Sequence, residues 1–406
     1  KSLNTFDLEK SIKKIIKNKN FLKSIQKKNF NNVLHKMNFL VNTIDNIKCN
    51  FLTKKINYIR NKNLKILHVS TFDEKNDHRL FNISIANKLT KGLIRNDHDV
   101  VNFSYRDFNN KLLLKSSEVL NQKILNIAKN YRPDLILLGH NNVIKTDIIE
   151  QIKKNHKTKI ALWYEDHLIK GGPNYINNLN LIEQNKDLID QYFLTTYPDS
   201  ISTKIDRKKL NYIPIPADKN IENLEIYNSK NRFKDLFFAL SHGVNYGKLK
   251  SNNQDEREIF LNEMMKINKK LTFNILGYGN EQPKWNYQYF HELSKCKTAL
   301  NLSRGEPSKY ASSNRIASLV ANGIMTFIDK KTNYSDFFNS DEMGFYSSPA
   351  DLLNQLDNLN GNINKINKIS KNGKIKYFSI FNNSIVADYM ISKTFGIKNK
   401  YKFVWD

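Results

Sequence analysis

Compact apolar runs alternate with polar, helix-length stretches over most of this chain. Residues 65–71 (KILHVST), 100–103, 135–138, 159–163, 192–195 and 210–213 each read as a buried strand. Helical patterns fill the intervals at about 80–95, 119–130 and 146–155. A repeated strand–loop–helix–strand order predicts right-handed parallel crossovers, hence an α/β unit. Two prolines in IPIPAD, Pro214 and Pro216, mark a linker. Beyond it the alternation resumes, with strands at 235–240, 271–276, 299–302 and 324–328. Helices are expected at 287–295 and from Asn314 to the Asn322-Gly323 pair, a C-cap signal. A long final amphipathic helix is expected over 377–395. Residues 1–62 contain neither Pro nor Gly and repeat apolar residues at roughly helical spacing, such as Leu8, Ile12, Ile15 and Ile16. The expected organisation is a basic helical extension (1–62), two α/β domains (63–216 and 217–375), and a C-terminal helix (376–406) crossing back to the first.

Polar residues gather just past the carboxyl ends of the strands, where open parallel sheets bind ligands. In the first domain these are Asp77, His78 and Arg79, then Gly139 to Asn142 with His140, and Glu165, Asp166 and His167. His140 is a candidate for contacting sugar or acceptor, and a lone histidine serves equally as a structural group. In the second domain Gly243, Gly247 and Lys248 follow a strand. Their spacing is not that of a P-loop, but such a loop can wrap a pyrophosphate or simply turn the chain. The segment 303–313 carries Arg304, Glu306, Lys309, Ser312 and Ser313 and leads into a helix with Asn314 and Arg315 at its start. That arrangement suits an anion, because backbone N–H groups and a bidentate guanidinium converge. It also describes an ordinary strand–loop–helix unit with a solvated loop.

The chain has 65 Lys and Arg against 39 Asp and Glu, a formal charge of +26. Residues 1–65 alone hold sixteen Lys or Arg and three Asp or Glu, which is half of that excess. Such a segment is drawn to anionic surfaces, phospholipid or nucleic acid. No nucleic-acid module and no basic–aromatic repeat accompanies it. Cys49 and Cys296 form neither a metal motif nor a disulfide framework, and a reducing cytoplasm fits them. The sequence offers no membrane-length apolar run and no signal-peptide pattern. The first strand is not followed by a glycine-rich dinucleotide fingerprint, which argues against an NAD or FAD enzyme. No carboxylate cluster suggests a metal.

The stretch RGEPSKYASSNRIASLVANG, followed by TFIDKKTNYSDFF and DEMGFYSSPADLL, resembles the C-terminal half of the spore-maturation-protein-like branch of the GT-B glycosyltransferases. The segment IANKLTKGLIRNDHDVVNFSYRD resembles the N-terminal part of the same family. The resemblance implies two facing Rossmann-like domains with a nucleotide-sugar held in the C-terminal one. It implies that Ser312, Ser313 and Arg315 face the diphosphate with Arg257 as a second partner, and that the nucleobase lies near Gly277 and Tyr278. It places Asp77 and Arg79 on the acceptor side and aligns Asp166 with a tryptophan-to-aspartate pattern. Two departures stand out: Ser318 replaces a ribose-binding glutamate of many relatives, and Tyr310 replaces an acid of the retaining branch. The expected activity is transfer of a sugar from a nucleotide-sugar to a glycan or lipid-linked acceptor, without cofactor or metal. The expected location is the cytoplasm, peripherally at the inner face of the membrane through residues 1–62. The alternatives are a catalytically silent scaffold on the same fold or a basic nucleic-acid-binding protein.

Overall fold

The computed structural model describes residues 27–32 and 63–406, apart from 73–76, 109–115, 141–142, 156, 173, 241–254, 269, 280 and 360. The chain divides into units 1–63 and 64–406. In the first, residues 27–32 are helical and exposed. The rest of the expected extension over 1–62 lies outside the described residues, as do Gly243, Lys248, Asn141 and Asn142.

The second unit holds two parallel sheets. The first contains β1 (Lys65–Ser70), β2 (Asp99–Ser104), β3 (Leu135–Gly139), β4 (Lys159–Tyr164), β5 (Gln191–Leu194) and β6 (Leu210–Tyr212), ordered β2-β1-β3-β4-β5-β6. The second contains β7 (Lys234–Ala239), β8 (Phe273–Leu276), β9 (Cys296–Asn301), β10 (Met325–Asp329) and β11 (Gly344–Tyr346), ordered β11-β10-β9-β7-β8. Every pairing between these strands is parallel. The apolar runs of β1, β3 and β4 are near-continuous because helices cover both faces of the sheet. The strand order reverses between β1 and β3 and again between β7 and β9, and such switch points open a crevice at the strand ends. These are the two Rossmann-like domains expected. Among the described residues no helix is long and apolar enough to cross a membrane.

The helices are α1 (Ile85–Arg95), α2 (Ser116–Tyr131), α3 (Thr146–Asn155), α4 (Tyr175–Glu183), α5 (Glu256–Ile267), α6 (Asn286–Leu293), α7 (Arg315–Val320), α8 (Pro349–Leu359), α9 (Ile363–Phe381) and α10 (Asn383–Phe395). The helix expected from residue 80 begins at Ile85, because the Ser84 hydroxyl caps the Asn87 N–H and residues 81–83 form a separate 3-10 turn. The single helix expected over 377–395 is two helices broken at Asn382. Asn382 is extended, and its side chain caps the N–H groups of Ser384 and Ile385. The linker residue Ala217 enters the break. Its N–H donates to the Phe381 carbonyl at 2.9 Å and its carbonyl accepts from the Asn383 N–H at 2.8 Å.

Beyond the break α10 packs on α1. A Cβ at Gly92 would collide with the Asn383 carbonyl, so glycine permits this close approach. Polar groups fill the junction. Arg95 grips Asp218 through both Nη atoms, at 2.7 and 3.1 Å, and Asn383 donates to Asp218 and to the Lys88 carbonyl. The Lys88 ammonium lies 2.5 Å from the Glu222 carboxylate, and both side chains are fully buried. A pair sealed from water in this way tolerates loss of one charge poorly.

Under β1 a buried hydrogen-bond chain fixes a histidine. Trp163 Nε1 donates to His68 Nε2 at 3.0 Å, so Nδ1 carries the proton and donates to Thr90 Oγ1 at 2.9 Å; Thr90 donates onward to Asn102. Burial pushes the His68 pKa down to about 3.

Two outcomes are expected from these contacts. Between about pH 3 and 6.5 the unfolded chain binds a proton at His68 that the native state refuses, so stability falls as pH drops through that window. Denaturant titrations across it should show a flatter slope for His68→Gln than for the natural protein. Glu222→Gln strands a buried ammonium and should cost about 3–5 kcal/mol in urea unfolding, with Lys88→Met plus Glu222→Leu recovering most of it.

Candidate functional site

The carboxyl ends of the two sheets face a shared cavity of about 330 Å³. On one side Glu165, Asp166 and His167 follow β4, and Thr195 and Thr196 follow β5. On the other, the segment after β9 contributes Ser303, Arg304, Ser312, Ser313, Asn314 and Arg315, joined by Arg257 from the first turn of α5. A neighbouring apolar cavity of about 170 Å³ extends between Thr71, Ile83, Ile85, Arg106, Trp163 and the Glu165–His140 pair.

The donor-side loop is held from within the second domain. Asn301, the last residue of β9, donates to Ser313 Oγ at 3.0 Å and accepts from its N–H at 3.2 Å. The Tyr334 hydroxyl donates to Ser312 Oγ at 2.9 Å. Helix α7 is six residues long, shorter than the sequence suggested, since it stops at Ala321 ahead of Gly323 in the left-handed region. Its dipole is correspondingly small, and the positive charge comes from side chains. The Arg315 guanidinium donates to the Leu302 carbonyl at 3.3 Å and lies 5.4 Å from the Phe238 ring centroid. Burial, and then the charge of Arg257, pulls its pKa down to about 10, which leaves it a cation at neutral pH. Arg257 is already paired, with Nη2 at 2.6 Å from Asp255 Oδ2 in a bidentate contact. Among the described residues, the Nε atoms of Arg304 and Arg315 are buried and have no hydrogen-bond partner. Orphaned buried donors in a cavity wall are unusual, and they suit an incoming anion.

Across the cavity His140 adopts a left-handed backbone conformation, φ +59°, and its N–H donates to the Trp163 carbonyl at 3.0 Å. Its ring stacks on Tyr164. Nδ1 lies 3.4 Å from Glu165 Oε1 and Nε2 lies 3.9 Å from Asp166 Oδ2. The other Glu165 oxygen, Oε2, accepts from Asn314 Nδ2 at 2.7 Å, a hydrogen bond that spans the two domains. Burial raises the Glu165 pKa above the usual carboxylate value, with the His140 charge opposing it. His167 reaches across to Ser308 Oγ at 3.4 Å, and burial lowers its pKa.

The structure therefore brings Glu165, Asp166, His167, Arg257, Arg304, Ser312, Ser313, Asn314 and Arg315 around one cavity, with His140 against Glu165. Four other candidates do not line it. Arg79 stacks over Trp285 at 5.4 Å, and beside it the His78 carbonyl accepts from Asn286. Asp77 precedes them in a left-handed conformation. Gly277, φ +70°, packs against the Leu240 carbonyl, and the Tyr278 hydroxyl donates to Asn262. Ser318 is buried, with its hydroxyl 3.3 Å from that of Tyr289; Tyr310 donates to Asp336 and packs on Tyr197 and Tyr212 of the first domain. Thr195, Thr196 and Asn178 line the cavity without having been singled out. Thr195 and Thr196 directly follow β5, so the strand-end rule applied to that strand signals them.

Residues 256–392 match a family described as glycosyl transferase-like. No curated protein matches the chain by sequence. Among solved structures, the chain is similar to a sucrose-phosphate synthase from Thermosynechococcus elongatus, with 10% identity, a TM-score of 0.50, and coverage of 81% of this chain and 98% of that one. It is also similar to HepE of Anabaena in complex with UDP and glucose, with 13% identity, a TM-score of 0.51, and coverage of 82% and 100%. At such identities the likeness establishes the fold, a pair of Rossmann-like domains in the GT-B arrangement.

Proposed function

We propose that this chain, whose residues 256–392 match the glycosyl transferase-like family and whose second unit has the GT-B fold, is a group 1 GT-B glycosyltransferase that transfers a sugar from a nucleotide-diphosphate donor to an acceptor hydroxyl. The observation that carries this reading is the opposition of charge across the interdomain cavity. Arg304 and Arg315, with orphaned buried donors, face Glu165, Asp166 and His140. HepE, solved with UDP and glucose on the same fold, makes a sugar nucleotide a natural donor class.

In the proposed reaction the bond between the sugar's anomeric carbon and the diphosphate oxygen breaks, and its electron pair leaves with the diphosphate. Arg315 and Arg304 stabilise that developing charge in a partly dehydrated site, with Ser312 and Ser313 as further hydrogen-bond donors. Arg257, neutralised by Asp255, holds the shape of the wall. The acceptor hydroxyl bonds to the anomeric carbon, and its proton passes to Glu165, whose raised pKa brings it towards neutral pH, where a general base is effective. His140 and Asp166 lie beside Glu165, the imidazole favouring its ionised form and the second carboxylate opposing it. The protein's own cations meet the leaving group, so the reading is metal-independent. A hexose donor and a glycan or lipid-linked acceptor of surface polysaccharide or glycolipid assembly complete the proposal. The basic residues of 1–62 would keep the protein at an anionic cytoplasmic membrane face, each contributing about 1 kcal/mol near the surface.

A thermal-shift panel of UDP-, GDP-, CMP- and dTDP-sugars tests the donor side. One class should give a saturable stabilisation that Arg315→Ala abolishes. With that donor and a suitable acceptor, nucleotide release should fall by about 10²–10³-fold in Arg315→Ala. A panel in which no sugar nucleotide stabilises the protein sinks the reading.

A further inference from the structure

Asn314 stands in the donor-side loop between Ser313 and Arg315, yet its side-chain amide does not point back into that loop. It crosses the cavity and donates to Glu165 Oε2 at 2.7 Å. The opposite oxygen, Oε1, is the one 3.4 Å from His140 Nδ1. One carboxylate is therefore shared between the two domains, with an amide on one oxygen and an imidazole on the other. Its backbone is pinned as well, because Thr195 Oγ1 donates to the Glu165 carbonyl at 3.0 Å. Asn314 also lines both the large cavity and the apolar one beside it, so it stands where donor and acceptor compartments meet.

We propose that Asn314 is a positioning residue, a latch by which the donor-binding domain orients Glu165 and keeps it ionised for the acceptor. This rests on the reading of Glu165 as the base. An amide N–H can only donate, so its hydrogen bond favours the carboxylate over the protonated acid. Buried as it is, Glu165 otherwise drifts towards the protonated form, which takes no proton from a hydroxyl. The charged groups facing it are His140 and Asp166 from its own domain and Lys88 from α1 beneath; Asp166 opposes ionisation while His140 and Lys88 favour it. Among the described hydrogen bonds to its carboxylate, that of Asn314 comes from the donor side. Because Asn314 is contiguous with Ser312, Ser313 and Arg315, the base is set only while the diphosphate-facing loop is seated against the first domain. Acceptor activation is thereby tied to the closed cleft. This limits proton abstraction when the domains are apart.

The test follows the Glu165 carboxyl directly in the full chain by carbon NMR of glutamate-labelled protein, with the resonance assigned by Glu165→Gln. Asn314→Ala, and the isosteric Asn314→Asp with its like charge, should both raise the Glu165 titration midpoint, by about one pH unit for Ala and more for Asp. In transfer assays the acid limb of the pH–rate profile should move upward by the same amount. On that acid limb kcat should fall roughly tenfold while the KM for donor stays unchanged. Thermal unfolding of both variants verifies that they are folded. A Glu165 midpoint unchanged in both folded variants overturns the latch, as does a loss confined to donor KM. If the natural protein releases no nucleotide from any sugar nucleotide, the transferase reading falls on its own, and the carboxyl titration still decides whether Asn314 controls Glu165.

Discussion

The cleft depends on the clasp at Ala217, where the linker threads the break between α9 and α10. The two sheets share no strand, so the separation of Glu165 from Arg315 is set by whatever fixes one sheet against the other. Two backbone hydrogen bonds from Ala217 to Phe381 and Asn383 begin that fixation. The Asp218–Arg95–Asn383 cluster extends it to α1, and the Lys88–Glu222 pair seals it below. Around these polar contacts Tyr377, Phe381, Tyr389 and Trp405 pack as a continuous aromatic layer. Such groups are expensive to bury unpaired, and their mutual satisfaction makes one arrangement of the domains strongly preferred.

With the domains held in this way, charge divides cleanly across the cavity. The second domain supplies guanidinium groups and the first supplies carboxylates and imidazoles. Asp255 pairs with Arg257, and among the described residues the Nε–H groups of Arg304 and Arg315 are buried without a partner. A cavity with that asymmetry suits a reaction in which negative charge leaves one side while a proton is taken on the other. The replacements at Ser318 and Tyr310 fit the same picture of a rearranged wall. Ser318 is buried against Tyr289, and Tyr310 serves the contact between domains by packing on Tyr197 and Tyr212.

Much of the frame is legible in the residues themselves. Strands β1, β3, β4 and β7 announce themselves as apolar runs of strand length, and Gly323 ends its helix because only glycine takes φ +75° there cheaply. The strand-end rule also found the loops bearing His140, Glu165 and Arg315. It overstated α7 as an anion-binding helix, since six residues provide little dipole, and it left Thr195 and Thr196 unnoticed because the β5 loop has no charge to attract attention.

The sequence alone determined the alternation of strands and helices, the linker prolines and the polar strand ends, because each of these is a local property of neighbouring side chains and their spacing. Tertiary structure alone decided which of those ends meet. The helix break at Asn382 is imposed by a linker 165 positions away, the Asn314–Glu165 hydrogen bond joins residues 149 apart, and the His68–Trp163 bond joins residues 95 apart. No local preference encodes such pairings; they arise when two sheets are packed to a fixed separation and each buried polar group must find a partner.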